Sequence, residues 1–184
     1  MKTVLLHDNY GINEKGHLTF GNFDTVEMAN KYGTPLYLMD EDRIRENCRV
    51  YKRAIAESFG ENAMALYAGK AASFKQIYRI MKEEGMGIDV VSSGEICTAA
   101  SVGFPMERAY FHSNNKTDAD IAFAMDMGVG RIVVDNTDEL LAISNEAVRR
   151  NVTQGILLRI TPGIDPHTHF NIMTSVRSVD DFTS

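Results

Sequence analysis

The chain has 184 residues, 44% of them hydrophobic and 24% charged, which is enough to bury a core and too apolar for wholesale disorder. A net charge of -6, a pI of about 5.4 and the lack of any basic run argue against a nucleic-acid partner. No apolar stretch approaches the roughly eighteen residues of a membrane span, and the apolar part of residues 1–10 is too short for a signal peptide.

The first forty residues stand apart from the rest of the chain. Gly11, Gly16, Gly21 and Gly33 punctuate short segments, and residues 36–38 read as a strand. This region reads as an appendage that packs on something else. A helix is predicted over 41–58 with Asp40 as its cap. Ile44, Cys48, Tyr51, Ile55 and Phe59 form an apolar stripe at helical spacing on it. Cys48 is thereby explained as a small core residue, and Cys97, in a later apolar helix, reads the same way. Two cysteines make no disulfide framework, and a reducing cytoplasm is the expected location.

From residue 64 a unit repeats: an apolar run, a polar or glycine-containing loop, a helical pattern, then glycine. The strand-like runs are 64–68, 88–91, 109–112, 131–134 and 156–160, with starts 21 to 25 residues apart. Continuous apolar runs of this length read as strands buried on both faces, as in parallel sheets. Capping boxes are expected at Ser73–Gln76, Ser92–Glu95, Thr117–Asp120 and, with asparagine as cap, Asn136–Glu139. Gly60, Gly85, Gly103 and Gly128 lie where helices should stop. Beyond Pro162 the pattern is lost. Pro162-Gly163 and Asp165-Pro166 mark turns, and residues 175–184 are polar without a period.

Alternating strands and helices require a parallel sheet with right-handed crossovers. Either a doubly wound open sheet or a (β/α)₈ barrel satisfies this. Five units are too few to close an eight-stranded barrel, so in the second case the chain is part of one.

Lys70 is the most informative residue. It follows the first run of the repeat, and a lysine at the C-terminal end of a buried parallel strand presents its amine where active sites of such sheets are built. Desolvation there would suit a Schiff-base lysine; the bland alternative is an amine that snorkels from the strand end. Asp89 interrupts an apolar run, which is costly unless it is paired. It would partner Lys70 or a cofactor, or else cap the Ser92 loop. His112 ends the third run, Asp135 follows the fourth, and Arg159 lies in the fifth between Leu158 and Ile160. Each has a structural explanation singly; together they converge on one end of the sheet as a pocket. His167-Thr168-His169 has the form of a metal pair but lacks nearby third and fourth ligands, so no metal is expected. Gly128-Val129-Gly130 follows its helix and lacks a third glycine, unlike a dinucleotide fingerprint.

Several segments resemble one family. Tyr67-Ala68-Gly69-Lys70-Ala71 is similar to the Tyr-Ala-x-Lys-Ala segment of fold-type III pyridoxal-phosphate decarboxylases. Gly87-Ile88-Asp89-Val90-Val91-Ser92-Ser93-Gly94-Glu95 resembles their Gly-x-Asp-Val-Val-Ser-x-Gly-Glu. Phe111-His112-Ser113-Asn114-Asn115-Lys116 resembles Phe-His-Gly-Asn-x-Lys, and Val134-Asp135-Asn136 with Glu139-Leu140 resembles the next motif. Leu158-Arg159-Ile160-Thr161-Pro162-Gly163-Ile164 with His167-Thr168-His169 looks most like the diaminopimelate decarboxylase branch. The opening Gly33-Thr34-Pro35-Leu36-Tyr37 also fits, and the likeness runs over residues 9–169.

The resemblance implies a partial (β/α)₈ barrel of the alanine racemase and ornithine decarboxylase type. Residues 1–38 would be an N-terminal segment of a β-rich second domain plus a lead-in strand, 39–165 the barrel part, and 166–184 a divergent tail. It implies that Lys70 holds pyridoxal 5'-phosphate covalently, with Asp89 near the lysine end, His112 lining the site and Arg159 near the ring. The implied reaction is decarboxylation of meso-2,6-diaminopimelate to L-lysine in a homodimer. The family's later Ser-Lys-Phe-Gly strand, ring-stacking histidine, glycine-rich phosphate cup, Glu-Pro-Gly-Arg segment and partner-site Cys-Glu-Ser have no counterpart here. The sequence therefore reads as a truncated or frame-disrupted product, inactive alone and prone to self-association. Decarboxylation of another basic amino acid or a carboxylated polyamine, and a non-catalytic half-barrel module, are the alternative readings.

Overall fold

Residues 8–160 are described by the structure, a computed structural model. Near the N-terminus, three short strands pair antiparallel in the order β1 (Tyr10–Ile12), β2 (Leu18–Phe20), β3 (Phe23–Asp24). Helix α1 (Thr25–Tyr32) comes directly after them. Asp24 caps it, accepting from the amides of Val26 and Glu27, while its other oxygen takes Asn13 Nδ2 at 2.7 Å and lies 2.8 Å from His17 Nδ1. This small sheet is the appendage expected outside the repeat. Asn9 Nδ2 donates to Asp40 Oδ2 at 3.0 Å and ties it to the next helix.

Helix α2 (Glu41–Phe59) is capped by Asp40, as its sequence predicts, and stops at Gly60 with φ 85°. Cys48 is buried, its sulfur 3.8 Å from Met81 Sδ. Part of the expected stripe is a correction. Ile44 packs against the core and Ile55 is half-buried, but Tyr51 and Phe59 are 64% and 78% exposed, while α2 meets α3 through Cys48 and the Arg45 and Arg49 pairs with Glu83 and Glu84. Residues 36–38 are a second correction. They form no strand, and Tyr37 is 95% exposed.

The repeat folds as five parallel strands, β4 (Leu66–Ala68), β5 (Gly87–Val90), β6 (Ala109–His112), β7 (Arg131–Val134) and β8 (Ile156–Leu158). Helices α3 (Lys75–Glu83), α4 (Ser93–Ala100), α5 (Asp118–Asp126) and α6 (Thr137–Arg150) connect them. The strand order β4-β5-β6-β7-β8 never reverses. A doubly wound sheet reverses at a switch point to place helices on both faces; an unreversed sheet is an arc of a barrel.

Burial shows which face the helices cover. Ile88, Val90, Ala109, Phe111, Ile132 and Val134 are buried against Ile77, Tyr78, Ile80, Met81, Ile96, Ala99, Ile121, Ala124 and Ile143 of the helices. The alternate residues Asp89, Tyr110, His112 and Val133 are only half-buried. The expected burial of the strands on both faces therefore gives way to one covered and one open face among the described residues.

Helix starts obey the capping residues with one exception. Ser92, Thr117 and Asn136 cap α4, α5 and α6, and Thr117–Asp120 is a complete capping box. Ser73 does not cap α3; Phe74 occupies that position without a side-chain bond. The Ser73 hydroxyl lies instead 3.0 Å from the phenol of Tyr78. Tyr78 is fully buried, and its hydroxyl needs a partner more than the helix end does. Cys97 is also corrected. It lies on the exposed side of α4, whose buried residues are Ile96 and Ala99.

Two of these contacts can be tested directly. A Cβ at Gly130 would lie 1.9 Å from the Glu107 carbonyl oxygen, so Gly130→Ala should cost about 1–3 kcal/mol in urea denaturation; an unchanged midpoint would contradict the close approach. For Asp24, loss of solvent raises the pKa but is outweighed by the bonds from His17, Glu27, Asn13 and Val26, which hold it at about 2, below its ordinary 3.8. Its stabilisation is present above the ordinary value and lost as pH falls through the lower one. A carboxyl NMR titration should place its midpoint near the lower figure.

Candidate active site

All five parallel strands end on one rim, and the polar residues singled out in the sequence fall there. In strand register Ala68 pairs with Asp89, Asp89 with Tyr110, and His112 with Val133. Asp89 and His112 therefore share the open face. His112 Nδ1 lies 3.6 Å from Asp89 Oδ2, with the two side chains 38% and 22% exposed. Asp89 thus finds a partner in His112 rather than in Lys70.

Asp135 immediately follows β7, and Arg159 lies one residue past the end of β8. The Arg159 amide donates to Val134 O at 2.9 Å and carries the ladder one step further. Arg159 Nη1 donates to Asp135 Oδ1 at 2.8 Å across the two neighbouring strand ends. The guanidinium is about two-thirds buried and pre-oriented by that carboxylate.

Lys70 sits in the single 3-10 turn Gly69–Ala71 that leaves β4, two residues beyond the position level with Asp89. Its side chain is exposed, so the described residues do not desolvate it. The turn itself is braced: Tyr67 Oη donates to Ala72 O at 3.0 Å, and Gly69 is buried against Tyr78, Glu95 and the Asp89 carbonyl. Burial pushes both the Tyr67 and the Tyr78 phenol up.

Sequence reasoning missed how the glutamates at the helix starts act. Asp120 accepts from the amide of its own cap residue Thr117 at 3.1 Å. Glu95 and Glu139 are one methylene longer and reach one residue further back, to the amides of Val91 (2.9 Å) and Asp135 (2.8 Å). They therefore fasten the ends of β5 and β7 to the helices that come next. Ser93 adds a short bond to Asp120 that joins the α4 and α5 starts. The signal was a glutamate where a reciprocal box was expected. His167 and His169 lie outside the described residues.

Comparison with known proteins decides the family. Residues 41–180 match the family described as pyridoxal-dependent decarboxylase, pyridoxal binding domain. The chain belongs to this family. It is 46% identical over 171 residues to a diaminopimelate decarboxylase of Bacillus methanolicus, covering 93% of this chain and 39% of that protein. It is 42% identical over 171 residues to that of Bacillus subtilis, with the same coverage. Among solved structures, diaminopimelate decarboxylase of M. jannaschii in complex with L-lysine superposes with a TM-score of 0.78 at 32% identity, over 90% of this chain and 38% of that one. The lysine/ornithine decarboxylase of Vibrio vulnificus with putrescine gives 0.63 at 32% identity, over 74% and 35%. The chain thus spans about two fifths of the length of the relatives it matches. The neighbours also bear out the fold: the parallel sheet and its helices are part of a decarboxylase barrel.

The Glu95 contact is testable. Glu95→Ala leaves the half-buried Val91 amide without its carboxylate, which should cost about 1–3 kcal/mol. Urea denaturation measures this, and a midpoint equal to that of the parent would show that the contact holds nothing.

Proposed function

We propose that this chain supplies the pyridoxal-binding part of a decarboxylase that converts meso-2,6-diaminopimelate to L-lysine and carbon dioxide. The observation that carries the reading is the exposed amine of Lys70 on the rim where Asp89, His112, Asp135 and Arg159 gather on one sheet face. The choice of branch is supported by the relatives' names and by the L-lysine bound to the M. jannaschii enzyme.

The donor set fits pyridoxal 5'-phosphate at its aldehyde and ring ends. A primary amine suits an aldehyde, and an imidazole and a guanidinium, each beside a carboxylate, suit a flat polar ring. Lys70 would hold the aldehyde carbon, Asp89 would stand beside His112 at the cofactor, and Arg159 would face the ring. When bound, the cofactor supplies the electron sink for the pair left by the departing carboxylate. Asp135 keeps Arg159 turned onto the face, and the His112–Asp89 pair keeps an imidazole edge there. The covered face excludes water from the strands' other side, so substrate and cofactor share the open one.

The same reading divides the chain into a β-rich-domain segment with a lead-in (1–38), a barrel part (39–165) and a tail (166–184). Two free cysteines, one exposed, suit a reducing cytoplasm, and no described helix is long and apolar enough to cross a membrane. The parent is read as a homodimer. The β8 edge and the exposed Leu157, Leu158 and Ile160, left uncovered by the described residues, support self-association.

Incubation with pyridoxal 5'-phosphate, borohydride reduction and peptide mapping should find a pyridoxyl group on Lys70, and Lys70→Ala should abolish it. A label on another lysine, or none, would overturn the proposal.

A further inference from the structure

Behind the open rim lies a buried ion pair that the proposed chemistry does not use. The side chain of Lys116 is wholly buried and that of Glu139 nearly so, 0% and 7% exposed. An ammonium has three N–H donors, and all three are taken. They go to Ser113 O at 2.6 Å, Val133 O at 2.7 Å and Glu139 Oε1 in a short contact. Its charge also lies 5.6 Å from the centroid of the Phe111 ring. The second oxygen of Glu139 accepts from the Asp135 amide.

These partners are the backbone of the site. Ser113 is the residue after His112, and Val133 is the strand partner of His112 in register. Asp135 holds Arg159. A single ammonium therefore grips the chain on both sides of the His112 position, and its counter-ion grips the residue that aims the guanidinium. Removing two charges from water is expensive, and an apolar pair of similar volume often stabilises a fold at least as well. Stability alone is a weak reason to place an ion pair here; geometry is a strong one.

We infer that Lys116 and Glu139 are positioning residues, which together fix the strand ends carrying His112 and the Asp135–Arg159 pair in the arrangement that receives the cofactor. The inference rests on the proposed location of the site but not on the identity of the substrate.

Three measurements on the chain test it: urea unfolding, amide hydrogen exchange at Asp135 with the NMR signals of His112 and Arg159, and titration with pyridoxal 5'-phosphate. Lys116→Met alone should be destabilised, since Glu139 is left buried without its cation. Lys116→Met/Glu139→Leu removes both charges and should regain most of the lost stability. In that double variant the Asp135 amide should still exchange about 10- to 100-fold faster, the effect of losing a hydrogen bond to a charged group. The His112 and Arg159 signals should stay shifted, and cofactor affinity should fall by a similar factor. A double variant with parental exchange, signals and affinity would show the pair to be structural only and would overturn the inference. So would a double variant that fails to fold. If the parent chain takes up no cofactor, the functional proposal fails, and the exchange and NMR arms still decide the inference.

Discussion

The molecule depends on a one-sided sheet. Strands β4 to β8 succeed one another without reversal, so the connecting helices α3 to α6 pack on the same face. Every strand then points its C-terminal end at one rim, and every second side chain faces away from the helices. The hydrophobic core occupies the covered side. The other side holds Asp89, His112 and Arg159, ionisable groups that a two-sided core would have to pair or exclude. Chemistry and packing are separated by the two-residue period of the strand.

The rim is held by its own side chains. Glu95 and Glu139, each in the first turn of a helix, reach back to an amide at the preceding strand end. Ser93 and Thr117 meet at Asp120, and Lys116, the residue before Thr117, binds Glu139. The amide of Asp135 bonds to Glu139 and its carboxylate to Arg159. From β5 to β8 the loops are thus joined by a belt of polar contacts. Behind these loops the Lys116–Glu139 pair is buried, where solvent competes least with its bonds.

Much of this arrangement was legible in the sequence. The apolar runs marked the parallel strands to within a few residues, and Ser92, Thr117 and Asn136 announced their helices. The glycine stops were legible because Gly60, Gly85, Gly103 and Gly128 adopt positive φ. Lys70, Asp89, His112 and Arg159 were visible as polar residues in or just past apolar runs. What the sequence could not show was tertiary. Phe59, Tyr51 and Cys97 have apolar neighbours in sequence but lie exposed in the fold. Ser73 was lost to a buried phenol five residues on, and residues 36–38 lacked a strand partner. The pairing of Asp89 with His112 and the burial of Lys116 depend on register between strands, which composition does not encode.

The role proposed for Lys70 can be seen directly in a crystal structure of the chain soaked with pyridoxal 5'-phosphate. Continuous density should run from Lys70 Nζ to the cofactor, with the ring over the sheet face that carries Asp89, His112 and Arg159. Cofactor bound on the helical side, or held by another lysine with Lys70 free, would contradict that role.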